Sequence, residues 1–123
     1  FHDYSFVVFP AAKAYEGFLK KVFLDRGFIT KDDYYGKRFR VGKALNPELD
    51  DKYRQESVYD KIVAYCGGEE LAKNLWETWK TCRNLVFHWF PESKRVVSLT
   101  EAKEKIMMMV AAIDMASREC KIG

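Results

Sequence analysis

Apolar residues recur at three- and four-residue spacing over most of the chain after Pro10, and that spacing predicts helices. The strongest case is Leu71 to Phe90, LAKNLWETWKTCRNLVFHWF. Leu71, Leu75, Trp79, Cys82, Val86 and Trp89 fall on one narrow stripe of a 3.6-residue helix. Trp76 and Phe87 widen the apolar sector to one side, and Arg83 projects between them. Glu69 and Glu70 sit in the first turn, where carboxylates suit the positive end of the helix dipole. Pro91 disfavours helical geometry at Phe90, so the last turn is expected to be distorted.

Before this helix, residues 4–9 (YSFVVF) read as the lead-in to a first helix, with Pro10 tolerated in its opening turn. From Ala11 the pattern is plain: Ala11, Ala14, Tyr15, Phe18, Leu19 and Val22 share a face, and Gly27 is the expected stop. Ser57 to Cys66 reads as a short helix with Val58, Ile62 and Tyr65 on one side, ended by Gly67 and Gly68. Near the end, Ser98 and Glu101 form an S-x-x-E capping box. The helix that follows, from Leu99 to about Ser117, has a main stripe of Ala102, Ile106, Met109, Val110, Ile113 and Ala116. Met107, Ala111 and Met115 give it a second apolar side. A helix apolar on two sides is central or faces a partner subunit.

Residues 30–47, TKDDYYGKRFRVGKALNP, lack helical periodicity and are expected to form a long irregular loop, followed by a polar turn over 47–55. Lys37, Arg38, Arg40 and Lys43 alternate with aromatic residues there. Such a mixture can track a nucleic-acid backbone and stack on bases. It also suits an ordinary solvated surface. The expected architecture is all-α: a bundle of about four main helices with this loop after the first.

With 123 residues the chain suits one domain, residues 1–123, with a core of its own. It begins at Phe1 rather than methionine, which sets the expectation of a domain cut from a longer protein. Aromatic residues reach 15%, enough to suggest that some rings serve a partner surface. The net charge of +3 permits an acidic partner without demanding one. Three widely spaced cysteines, Cys66, Cys82 and Cys120, form no CxxC pair and no zinc pattern. Free buried thiols in a reducing cytoplasm are the expected state. No apolar run is long enough to span a membrane, and no signal-peptide pattern is present.

The candidate chemistry lies in Arg83, Asn84 and His88. A cation in an aromatic sector costs desolvation energy unless it meets an anion or a ring face. A guanidinium can grip a phosphodiester through two parallel hydrogen bonds and stabilise charge that grows in the transition state. An imidazole titrates near neutrality and moves protons. An amide can orient either partner. Set against this, a histidine near a helix end and an arginine among rings are common packing residues. Glu16 has two readings as well: a surface pair with Lys20 one turn on, or a partner for Arg83 across a helix pair.

The run Arg83-Asn84-Leu85-Val86-Phe87-His88 matches the R-x4-H motif of HEPN domains. The wider text, DYSFVVFPAAKAYEGFLKKVFL, then GKALNP, then LWETWKTCRNLVFHWFP, then SLTEA, resembles in that order the C-terminal HEPN domain of RNase LS (RnlA-type) toxins from bacterial toxin–antitoxin systems. The resemblance spans Asp3 to about Ala116. It implies a HEPN-like helical bundle acting as a cytoplasmic, metal-independent endoribonuclease without cofactors. It further implies a homodimer in which two R-x4-H motifs line one cleft, and docking of an antitoxin on the same domain. His88 would transfer protons, Arg83 would bind the phosphate, Asn84 would position, and Glu16 would be a fourth member. Lys37, Arg38, Arg40 and Lys43 would contact RNA. The alternative is a non-catalytic HEPN-like module that binds an antitoxin, a nucleotide or RNA. A third reading is an unrelated helical interaction domain.

Overall fold

Residues 3–87 and 97–120 are described by the computed structural model. They form seven helical segments and no strand, so the all-α expectation holds. Helix α1 spans Ser5–Asp25 and carries Pro10 inside it. It therefore starts well before Ala11. Proline removes the N–H that would reach the Phe6 carbonyl, and Phe6 lies on the solvent side at 68% exposure. The helix ends as the glycine predicts. Gly27 takes a left-handed φ of 74°. Phe28 N–H bonds the Phe23 carbonyl at 2.8 Å, and Gly27 N–H bonds Leu24 at 3.0 Å. With Phe23 and Phe28 both buried, this is a Schellman closure with its apolar contact.

The segment expected to be one irregular loop contains two single-turn helices. Helix α2 spans Lys31–Tyr35. The Thr30 hydroxyl accepts from Asp33 N–H and the Asp33 carboxylate accepts from Thr30 N–H, each at 3.1 Å. That reciprocal cap closes the turn from the sequence T-x-x-D. Helix α3 spans Val41–Leu45 and buries Val41, Ala44 and Leu45. One turn is too short to display a 3.6-residue period, so neither helix shows in the hydrophobic pattern. The polar turn that follows is a 3₁₀ helix at Asp51–Glu56. Arg54 ties it down by donating to the Pro47 carbonyl at 2.9 Å and to Asp60 at 2.7 Å.

Helix α4 covers Val58–Tyr65, with Ser57 accepting from Asp60 N–H. Its buried face is Val58, Tyr59 and Ile62, while Tyr65 is 70% exposed and does not belong to the stripe. Gly67 and Gly68 turn the chain with positive φ into α5, Gly68–Phe87. Helix α6 covers Leu99–Glu119, its first turn closed by Ser98 accepting from Glu101 N–H at 3.0 Å. The core side of α6 is Ala102, Met109, Ala112 and Ala116. Val110, expected in the main stripe, is 58% exposed, and Met107 is 71% exposed.

Helix α5 is central, packing against α1, α3, α4 and α6, and α1 also packs on α6. Leu71, Ala72 and Leu75 are fully buried in one continuous apolar cluster shared by all four long elements. Among the described residues no helix is long and apolar enough to cross a membrane.

The thiol expectation is corrected. Cys66, at the end of α4, and Cys120, just past α6, form a disulfide with Cα atoms 4.7 Å apart. The pairing closes 54 residues of sequence separation and has no local signal. Cys82 is free and buried. The disulfide withdraws the support that free thiols lent to a cytoplasmic setting. Unfolded without reductant, the protein should expose one reactive thiol, and three with reductant. Cys120→Ala should lower unfolding free energy by about 2–4 kcal/mol, read from urea melts of the oxidised protein.

Candidate functional site

Helices α1 and α5 are registered against each other by a buried phenol. Tyr15 is 1% exposed, and its hydroxyl donates to the Leu75 carbonyl at 3.0 Å. A buried hydroxyl without a partner would cost roughly 1–3 kcal/mol, so this contact selects one sliding position of the helix pair. The next residue is Glu16. In that register its carboxylate lies 4.0 Å from Arg83 Nη1, both side chains about one-third exposed. Lys20, the other possible partner of Glu16, is used elsewhere. It donates to the Tyr34 carbonyl at 3.0 Å and lies over the Tyr34 ring.

Arg83 also lies over the indole of Trp79, 5.7 Å from the centroid. Trp79 is thus an aromatic partner of Arg83. Trp76 acts one layer out, stacked on Trp79 at 5.6 Å with planes 15° apart. A small depression of about 60 Å³ opens here, bordered by Phe9, Lys13, Glu16, Trp79, Cys82 and Arg83. It is smaller than a typical ligand cavity of roughly 300–1,000 Å³. A phosphate would rest at its mouth rather than be enclosed. Lys13, one turn before Glu16, supplies a second cation that sequence reasoning missed. Its spacing from Glu16 on α1 was the available signal. Among the described residues of the lining, two cations face one carboxylate.

His88 and the side chain of Asn84 lie outside the described residues. Of the basic segment, Arg38, Arg40 and Lys43 border a second and larger cavity, and Lys37 is not part of its lining. Lys43 sits 3.9 Å over the Tyr53 ring and 3.8 Å from Glu56. A methyl group added at Gly42 in α3 would overlap the Trp79 six-membered ring, so α3 rests directly on the indole that Arg83 covers.

Comparison with known proteins finds no matching family model, no matching curated protein and no matching solved structure.

Two consequences can be measured. Gly42→Ala forces α3 off Trp79 and should cost about 1–3 kcal/mol, with a red shift of tryptophan emission in the folded state. The second concerns pH. Burial raises the pKa of the Cys82 thiol, and burial, reinforced by Cys82, raises that of the Tyr15 phenol. Above their ordinary values the folded protein keeps protons that the unfolded chain releases. Stability is then unaffected by these groups below about pH 8.5 and declines above it, with a second decline from about pH 10. Urea melts of Cys82→Ala across that range should lack the first decline and retain the second.

Proposed function

We propose that this chain is a HEPN-type endoribonuclease domain of a toxin, cleaving RNA without a metal ion. The observation that carries the reading is the meeting of Glu16 and Arg83. They come from two separate stretches of the resemblance, AKAYEGFLK and the R-x4-H run, and they border one depression together with Lys13. His88, placed by the motif just beyond the described end of α5, completes the set in this reading.

The chemistry needs no further group. A ribose 2′-hydroxyl attacks the adjacent phosphorus while His88 handles the proton transfer. The bond from phosphorus to the 5′-oxygen breaks, leaving a cyclic 2′,3′-phosphate and a 5′-hydroxyl that takes up a proton. Arg83 holds the non-bridging oxygens and offsets their growing charge. Glu16 is a positioning residue: its carboxylate orients the guanidinium, and Asn84 orients the imidazole or the attacking hydroxyl. A second copy of the chain would bring a second set to the same cleft. Met107 and Val110, apolar and exposed on α6, are a surface such a copy or an antitoxin would cover.

One observation favours the non-catalytic alternative: Arg83 is already engaged by Glu16 and Trp79, as a structural latch between α1 and α5 would be. The two readings part on substitution. His88→Ala and Arg83→Ala should each lower cleavage of labelled RNA by about 100-fold or more, with helix content unchanged and with excess chelator having no effect on the parent protein. Full cleavage by His88→Ala would end the nuclease reading. If Arg83 were only a latch, its loss would lower stability and leave any RNA cleavage intact.

A further inference from the structure

A cavity of about 570 Å³ lies between the end of α1, the α2–α3 segment and the 3₁₀ turn. That volume is in the range of small-molecule sites, and the nuclease reading makes no use of it. Its apolar lining includes Phe28, Phe39 and Leu49, and its cations are Arg38, Arg40, Lys43 and Lys61. The carboxylates on its wall are Asp33 and Glu56. Both are engaged: Asp33 closes the α2 cap, and Glu56 faces Lys43 at 3.8 Å. Lys61 donates to the Phe28 carbonyl at 2.8 Å, which fixes its charge at the wall. Arg38 and Arg40 differ. Among the described residues neither guanidinium has an ion pair or a hydrogen bond, and both side chains are exposed. A concave site with an aromatic floor and two uncommitted guanidiniums is suited to a ligand with a flat apolar part and a compact double-charged part.

We propose that this cavity is a subsite for a nucleoside phosphate, its phosphate gripped by Arg38 and Arg40 and its base laid against Phe39. Concavity and the aromatic floor favour this over an acidic peptide, which needs charge but no ring platform. The ligand is either a free nucleotide or one unit of an RNA strand. Arg40, Lys43 and Ala44 of its lining flank Gly42, whose backbone abuts the Trp79 ring. The inference is independent of cleavage, since it concerns binding alone.

The test uses calorimetry and amide chemical shifts at low salt, with AMP, inorganic phosphate, a short poly-glutamate peptide and a single-stranded 2′-O-methyl oligonucleotide that cannot be cut. AMP or the oligonucleotide should shift resonances of Phe28, Phe39 and Arg40. Arg38→Ala combined with Arg40→Ala should weaken that binding by about tenfold or more. The charge-matched pair Lys21→Ala with Lys103→Ala, on exposed positions elsewhere, should leave it within about twofold. Saturation by AMP identifies free nucleotide as a sufficient ligand, and binding of the oligonucleotide alone identifies a strand. Three results would overturn the proposal: neither ligand shifts the cavity resonances, both double variants lose affinity equally, or poly-glutamate binds there as tightly as the nucleotides.

Discussion

The hydrogen bond from Tyr15 to the Leu75 carbonyl sets the terms for the rest of the molecule. Apolar packing between α1 and α5 is non-directional and would tolerate several sliding positions. A phenol sealed among Leu19, Leu75 and their neighbours tolerates one, because every other position leaves its hydroxyl without an acceptor. Thr78, also buried, lies on α5 beside the same phenol. What stands at the edge of this sealed contact is then determined. Glu16 follows Tyr15 on α1, Arg83 follows Cys82 on α5, and the two meet at the boundary between core and solvent.

Trp79 carries that boundary outward. Its Nε1 is buried with no hydrogen-bond partner among the described residues, a cost of about 1–3 kcal/mol. Opposing that cost are three contacts that a smaller residue could not make together. Trp76 stacks on it, the Arg83 guanidinium lies over it, and the backbone of Gly42 approaches its ring. Glycine at that position is what lets α3 come so close. One indole therefore borders the α1–α5 depression on one side and carries α3 on the other.

How much of this is legible in the chain depends on the length of the element. The helices α1, α5 and α6 each span many turns, so their stripes can be read directly, and Gly27 and Ser98 mark an end and a start by their own chemistry. The single turns α2 and α3 contain no full period. Only the Thr30–Asp33 cap could have disclosed the first, and Gly36 and Gly42 disguise both as loop. Within α6 the stripe is displaced. Ala112 is buried where Val110 was expected, because an alanine face lets α6 sit close to its neighbours and turns the bulkier Val110 to solvent. The Cys66–Cys120 pair joins two helix ends far apart in sequence, which no local spacing reports. The site shows the same division. Arg83 stands out on its own helix, but whether Glu16 faces it or Lys20 depends on helix register. That register is decided by Tyr15, and nothing in the spacing of Tyr15 alone reveals the acceptor on α5.

The strength of the Glu16–Arg83 contact bears on what the site can do. An ion pair with both partners one-third exposed and 4.0 Å apart is worth about 0–1 kcal/mol. Such a contact biases the rotamer of Arg83, and at that distance the Glu16 carboxylate by itself is a weak acceptor for the guanidinium. A phosphodiester offers two oxygens in the plane that the guanidinium fork requires. On the proposed reading it would compete with Glu16 for that fork, while Glu16 and Lys13 remain as charges of the same lining. A tighter, buried bridge would resist the exchange, since removing one partner of a desolvated pair costs about 3–5 kcal/mol. A looser arrangement would leave Arg83 with its full rotamer freedom to lose on binding. A pair one-third exposed and resting on an indole lies between these limits, which is the condition for a cation held in place by contacts that are each individually weak.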